Sequence, residues 1–174
     1  AGAAYLALQV EPDFGVELLF PTSDPARRDY DRFKEHFPFE DAHALVLIEA
    51  EDLYTPAGLA RVSSLEAALR DLRGVRNTDS LVSLQDVVDD EGELTVEVLF
   101  PSLPDPPDAA ELAAGKARAT EDPLFAWRLA NPAGGATTLR VTLSQEHARD
   151  DAKRRAFMDA ARGVLAEHRS AAQR

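Results

Sequence analysis

Apolar side chains recur at helical spacing in several segments of this chain, which predicts amphipathic helices. The first helix is predicted to begin at Pro25, capped by Ser23 or Asp24, and to end at Pro38, where proline blocks its continuation. Each helix carries an apolar stripe that we expect to face a core. The stripe of this first helix contains Ala26, Tyr30, Phe33 and Phe37.

The second helix is predicted to begin at Pro56, after the capping residue Thr55, and to stop at a left-handed Gly74. Its stripe contains Leu59, Val62, Leu65, Leu69 and Leu72. A nearly continuous apolar run at 44–50 precedes it, and a second strand-like run follows at 75–84. Strand, helix and strand joined by short loops predict a right-handed crossover between two parallel strands.

Further along, the acidic stretch 89–93 predicts a tight turn before the alternating strand 94–100. Four prolines in the seven residues 101–107 mark a stiff linker and the best subdomain boundary. The sequence therefore predicts a first subdomain at 1–100 and a second at 108–174.

The second subdomain is predicted to contain an alanine-rich helix at 109–119, a short helix capped by Asp122, and a strand at 136–143. The short helix would carry Leu124, Phe125, Trp127 and Leu129. The last helix opens at Asp150 or Asp151, with a stripe of its own. That stripe contains Phe157, Ala161, Val164, Leu165 and His168. Together these elements predict an α+β fold, with helices packed on one face of a mixed sheet.

The predicted order leaves the strand and helix of the second subdomain without a parallel partner strand. We therefore expect the natural protein to continue into a further strand just past Arg174. The chain starts at Ala1 and its only methionine is Met158, which indicates a processed chain or a piece of a larger one. We favour a piece of a larger protein.

Composition narrows the classes of function. The chain has 174 residues, of which 45% are hydrophobic, so a real core can form. Its formal net charge of -12 repels nucleic acid and anionic lipid headgroups, and we expect neither as a direct partner. It contains no cysteine, which excludes disulfides, thiolate metal sites and a cysteine nucleophile. No run approaches the roughly 20 apolar residues of a spanning helix.

The titratable residues show no spacing typical of a catalytic or metal site. The four histidines include no pair at the i, i+4 spacing of a zinc-binding helix. The acidic run 86–93 lacks the ligand spacing of an EF-hand, so we interpret it as a hairpin turn. Asp150 and Asp151 lie near His147, but helix capping explains them better than acid–base chemistry. We therefore expect no enzyme, no catalytic residue, no cofactor and no metal.

Three aromatic residues near segment ends are candidates for a binding surface: Phe39, Phe125 and Trp127. Aromatic side chains in such positions are most often ordinary core residues. If they are partly exposed beside the proline linker, they line an apolar cleft and contribute to a substrate path.

The ordered set of landmarks resembles the soluble loop after the first membrane helix of resistance-nodulation-division exporters, in the MMPL-like branch. The resemblance depends on DPARRDYDRFKEHF at 24–37, DLYTPAGL at 52–59 and LRGVRNTDSL at 72–81. The later segments TEDPL at 120–124 and ATTLRVTL at 136–143 are also similar to the family's pattern. The resemblance covers residues 10 to 169.

This resemblance implies a porter-type domain built from ferredoxin-like βαβ units, whose final strand lies outside this chain. It also implies a proton-driven inner-membrane exporter, with this segment on the periplasmic side. The implied partners are a lipid or another hydrophobic small molecule, the rest of the membrane protein, and further copies of the chain. The proton-relay residues would lie in membrane helices, outside this sequence.

Two other interpretations of the sequence stay open. A free-standing ferredoxin-like interaction or regulatory module explains the acidity and the absence of catalytic motifs equally well. A small α/β enzyme using carboxylates would need paired acidic groups in a cleft, and the sequence offers no convincing pair.

Overall fold

The structure, a computed structural model, describes residues 21, 24–36, 42–90 and 93–172. The chain divides into two compact units, residues 1–40 and 41–174. The segment 101–107, predicted as a subdomain boundary, lies inside the second unit.

The described part of the first unit is centred on helix α1, Pro25–His36. Asp24 is its cap, as predicted, because its Oδ1 accepts from the backbone N–H two residues along the chain at 2.8 Å. Tyr30 and Phe33 are both more than a third exposed, so the stripe expected to form a core is not buried along this helix. A helical stripe is buried only where another element covers it. Phe37 lies outside the described residues.

The described part of the second unit contains five strands and four helices, which confirms the α+β class. They are β1 His43–Glu49, α2 Pro56–Arg70, β2 Val75–Asp79, β3 Gln85–Asp90, β4 Glu93–Val98, α3 Ala109–Glu121, β5 Ala136–Leu143, α4 Gln145–Arg149 and α5 Asp151–Ala172. The run predicted as one strand at 75–84 thus ends at Asp79, and a new strand begins at Gln85.

The central sheet has the order β1-β5-β2, and β5 is antiparallel to both neighbours. β1 and β2 therefore run parallel to each other, as predicted, but they do not pair directly. Because every pair in this sheet is antiparallel, the expected mixed sheet does not form among the described strands. β5 has a partner along each edge, which removes the ground for expecting a further strand beside it.

Two clusters of buried side chains form the core of the second unit. One lies where the first half of α2 meets α3 and the turns after β4, and the other lies between the sheet, the second half of α2, and α5. The first contains Leu53, Leu59, Val62, Leu81, Leu99, Phe100, Ala119, Phe125, Leu129 and Ala130. The second contains Ala42, Leu65, Leu69, Leu139, Val141, Leu143, Ala148, Phe157 and Ala161. The predicted stripe of α2 is thereby confirmed, as is that of α5 apart from His168, which belongs to neither cluster.

The proline-rich segment is attached to the first cluster, which explains why it does not separate two bodies. Leu103 packs against that cluster. The backbone N–H of Ser102 donates to Glu111 in the first turn of α3 at 3.0 Å. Residues from both sides of the segment thus share one core.

Helix α2 begins at the predicted cap, but it ends four residues before the glycine predicted to stop it, with Asp71 as its C-terminal cap. Thr55 Oγ1 accepts from the N–H of Gly58 at 3.0 Å, which confirms it as the cap. The helix itself ends at Arg70, and Gly74 follows with φ of +89°, in the left-handed region as predicted. Gly74 also lies against the ring of His147, where there is no room for a Cβ atom.

A buried carboxylate fixes α2 to β2. Glu66 is 2% exposed and accepts three hydrogen bonds, from Arg70 Nη2 at 2.6 Å, Thr78 Oγ1 at 2.8 Å and Ser80 Oγ at 2.5 Å. A buried charge is tolerated only with such partners. The sequence analysis missed this residue, although its place in the apolar stripe, four residues after Val62, was a usable signal.

The remaining strands, β3 and β4, form a separate two-stranded sheet. Leu94 and Val96 on β4 are exposed on the same face, as the alternating pattern predicts. Glu97 pairs with Arg118 of α3 at 3.3 Å. Among the described residues, no helix is both long and apolar enough to cross a membrane.

We predict that Gly74→Ala lowers the free energy of unfolding by about 2 kcal/mol or more, because alanine is strained at this φ and its Cβ overlaps His147. Urea unfolding followed by circular dichroism measures this. Gly163→Ala is the control, since a Cβ there meets open space and a helical alanine adds up to about 1 kcal/mol. Equal effects of the two variants would contradict the packing of Gly74 against His147.

We predict that Glu66→Gln lowers the free energy of unfolding by about 1–3 kcal/mol, because an amide nitrogen replaces one of two buried acceptor oxygens. Glu97→Gln is the matched control, and its exposed ion pair contributes less than about 1 kcal/mol. The same unfolding assay applies. A loss at Glu66 no greater than at Glu97 would show that the buried network is not a main support of the fold.

Candidate binding surface on the open face of the sheet

Among the described residues, helices cover only one face of the central sheet. Along β1 the side chains alternate between partly buried and exposed, so the strand has one inner and one outer face. Leu45 is 71% exposed and Leu47 is 63% exposed. The apolar run at 44–50 therefore forms a strand that presents two leucines to solvent.

We call the uncovered side the open sheet face. It consists of His43, Leu45, Leu47 and Glu49 on β1, Thr138, Arg140 and Thr142 on β5, and Asn77 and Asp79 on β2. Its two sides differ in chemistry. Arg140 and Asp79 form an ion pair at 2.8 Å toward β2, while the leucines make the β1 side apolar. Exposed apolar side chains grouped in this way are typical of interaction sites.

The segment before β5 folds into a turn that separates its two aromatic residues. Asp122 Oδ1 accepts from the N–H of Leu124 at 2.8 Å, and the carbonyl of Phe125 accepts from the three residues 128–130. Phe125 is 1% exposed, in the first core cluster, whereas Trp127 is 84% exposed. The short helix predicted here is wrong, because Trp127 has φ of +67°, which no right-handed helix accommodates.

Hydrogen bonds from β5 hold this turn at the end of the open sheet face. The hydroxyl of Thr137 and the N–H of Thr138 both donate to the carbonyl of Leu129 at 2.8 Å. The hydroxyl of Thr138 donates to the carbonyl of Arg128 at 3.1 Å. These hydrogen bonds hold Arg128 and Leu129, the two residues that follow Trp127, and so fix the position of Trp127.

An open depression of about 290 Å³ lies between the turn and the sheet. Its lining combines apolar side chains with a carboxylate, a guanidinium and hydroxyls. The lining residues are Leu47, Glu49, Trp127, Arg128, Leu129, Ala130, Asn131, Ala136, Thr137 and Thr138. This volume is just below the roughly 300–1,000 Å³ of small-molecule sites. It suits one hydrocarbon chain or ring better than a whole lipid.

Of the three aromatic residues predicted as candidates for a binding surface, the structure describes two, and these two lie in different environments. Trp127 lines the depression. Phe125 does not belong to it, because its side chain fills the core under the turn. Phe39 lies outside the described residues. Leu45 and Leu47 were missed because their neighbours on β1 are apolar as well, so the sequence shows no alternation.

The acid-rich junction of α4 and α5 is explained by helix capping. Asp150 Oδ1 accepts from the N–H of Lys153 at 3.0 Å, which confirms its predicted role and lowers the pKa of Asp150. A hydrogen bond from the ammonium of Lys153 lowers the pKa of Glu146. Ser144 caps α4, and its Oγ lies 2.9 Å from His147 Nδ1. This serine–histidine contact closes the first turn of a five-residue helix.

Two further pKa shifts have local causes. The hydrogen bond from Arg61 lowers the pKa of Asp52, which is an exposed carboxylate. Burial raises the pKa of Tyr54 to about 12. Neither residue lines the depression beside Trp127. Within the described ranges, no group of three or more histidine, aspartate or glutamate side chains is arranged to hold a metal ion.

Comparison with protein-family models finds no match for this chain, and comparison with curated proteins finds none either.

We predict that Trp127→Gly leaves the free energy of unfolding unchanged or raises it by up to about 1 kcal/mol, because glycine removes a left-handed strain of about 1–2 kcal/mol. Trp127→Ala keeps the strained backbone and is the matched control. Circular dichroism in urea compares them. A glycine variant that is less stable than the alanine variant by about 1 kcal/mol would contradict the strain at this position.

Proposed function

We propose that this chain is a non-catalytic binding domain of a proton-driven exporter of the resistance-nodulation-division type, in its MMPL-like branch. In this proposal the domain lies on the extracytoplasmic side of the membrane. The open sheet face and Trp127 form part of the path of a lipid or another hydrophobic substrate. One observation carries the proposal: an almost fully exposed tryptophan is held in a left-handed backbone conformation beside two exposed leucines.

Such an arrangement opposes stability twice. Leaving a large apolar side chain in water forgoes about 1.5–3 kcal/mol of burial, and a positive φ adds about 1–2 kcal/mol of strain at a non-glycine residue. Strained, exposed aromatic residues are concentrated at binding sites, where a ligand covers them. The hydrogen bonds from Thr137 and Thr138 to the turn hold Trp127 in this exposed position.

The chemistry of the depression defines the ligand. Leu47, Trp127 and Ala136 offer an apolar surface for one hydrocarbon chain, and Glu49 and Arg128 flank it with opposite charges. The net charge of -12 disfavours an anionic headgroup. The expected ligand is therefore a neutral or zwitterionic molecule with a single chain in contact with the sheet.

A free-standing interaction module is the second candidate. The observation that favours it is that residues 41–174 form one compact unit with two buried clusters of its own. In that case the open sheet face would bind a protein partner, and no lipid would enter the depression.

We predict that monooleoylglycerol binds beside Trp127 and shifts its fluorescence to the blue, because an apolar ligand replaces water around the ring. The signal is specific, since Trp127 is the only tryptophan in the chain. Leu47→Glu should weaken binding about tenfold or more, as expected from losing one buried leucine contact.

The control is Leu94→Glu, which makes the same change at an exposed leucine of the β3–β4 sheet and should leave the affinity unchanged. Calorimetry extends the test to Trp127→Ala, which lacks the fluorescent reporter. Equal affinities of the parent, Leu47→Glu and Trp127→Ala for this lipid would rule out the proposed site.

The reading frame around residues 1 and 174 separates the two candidates. Flanking apolar runs of about 20 residues favour the exporter. A start codon and a stop codon close to these residues favour the free-standing module and argue against the exporter.

A further inference from the structure

The outer edge of β1 offers a row of backbone hydrogen-bonding groups. The N–H of Leu143 donates to the carbonyl of Ala42 at 2.7 Å, and the N–H of Ala50 donates to the carbonyl of Gly135 at 3.1 Å. Backbone groups alternate between the two edges of an antiparallel strand. Even-numbered residues therefore bond to β5, and the N–H and C=O groups of His43, Leu45, Leu47 and Glu49 point to the opposite edge.

The two edges of the central sheet are built differently. β2 has an irregular register between Val75 and Asn77, and its short sequence VRNTD carries charged residues. Bulges and charges of this kind protect an edge from pairing. β1 keeps an unbroken register of seven residues, His43–Glu49, and contains no proline, glycine or lysine. In the part of the chain that the structure describes, β1 is the edge left open to another strand.

The sequence of β1 is complementary to itself when it is reversed. In an antiparallel pair centred on Val46, His43 lies opposite Glu49 and Leu45 lies opposite Leu47, all on the open sheet face. Ala44 lies opposite Ile48 on the covered face. A histidine opposite a carboxylate and apolar side chains opposite each other are cross-strand pairs of the kind that stabilise a sheet.

Neighbouring registers lack this match. A shift by two residues in one direction places Glu49 opposite Leu45, and a shift in the other places His43 opposite Leu47. A shift by one residue would set an outward-pointing backbone group against an inward-pointing one, which breaks the hydrogen-bonding pattern. The register centred on Val46 is therefore the one that satisfies both the backbone and the side chains.

We propose that two copies of this chain associate through β1, antiparallel and about a two-fold axis at Val46. The two three-stranded sheets then become one six-stranded sheet, and the leucines of both copies form a single apolar strip on the joined open faces. A two-fold interface of this kind uses the same strand from each copy. This inference depends on β1 alone and not on the proposed lipid ligand.

Single cysteines test the register directly, because the natural chain has no cysteine. Hydrogen-bonded residues directly opposite in an antiparallel pair have Cα atoms about 5.5 Å apart, within disulfide range, whereas diagonal residues are about 7–8 Å apart. Mixing Leu45→Cys with Leu47→Cys under mild oxidation should give a cross-linked dimer. Either variant alone should cross-link much less.

A charge exchange tests the same register in solution without removing any apolar contact. His43→Glu places two carboxylates opposite each other twice in the dimer, and sedimentation equilibrium should show dimerisation weakened about tenfold. The double variant His43→Glu/Glu49→Lys places a carboxylate opposite an ammonium group and should recover most of the parent affinity.

Several results would overturn the proposal. They are a parent chain that stays monomeric up to millimolar concentration, cross-linking as fast in Leu45→Cys alone as in the mixture, and a double variant no better than His43→Glu. Circular dichroism of each variant verifies that the monomer fold is kept.

Discussion

The pairing of β5 along both of its edges is the constraint on which the second unit depends. β5 lies almost 90 residues after β1, yet its register with β1 is unbroken from Glu49 opposite Ala136 to His43 opposite Thr142. Closing so long a chain segment costs entropy, and the sheet hydrogen bonds and the apolar contacts of Leu139 and Val141 offset it. Because β5 separates β1 from β2, helix α2 crosses over it and covers one face of the sheet.

Glu66 and the core clusters reinforce this arrangement. Helix α2 carries the buried carboxylate on the same side as its leucines, so the helix has only one orientation that satisfies both. Arg70, Thr78 and Ser80 surround the carboxylate and fix the distance between α2 and β2. A partly satisfied buried charge would be costly. The network therefore favours this packing of α2 against β2 over packings that leave Glu66 without its partners.

The covered face determines the open one. Since side chains alternate along a strand, packing Val46 and Ile48 against the second core cluster forces Leu45 and Leu47 outward. The same strand then presents an apolar surface beside Trp127 and an edge with free hydrogen-bonding groups. A second copy of the chain would pair with the edge of β1 and a ligand would lie on its outer face, with Leu47 and Glu49 taking part in both proposed interactions.

Local signals in the sequence determined the helix boundaries, because a cap or a left-handed glycine acts within a few residues. The caps Thr55 and Asp150 were predicted for this reason, as was the left-handed conformation of Gly74. The sequence also determined the α+β class, through the order of its helical and strand-like runs. Only the tertiary structure decided that β5 lies between β1 and β2 and that Phe125 is buried while Trp127 is exposed. These outcomes depend on which distant segments meet, and neither the periodicity nor the composition of a segment specifies its distant partner.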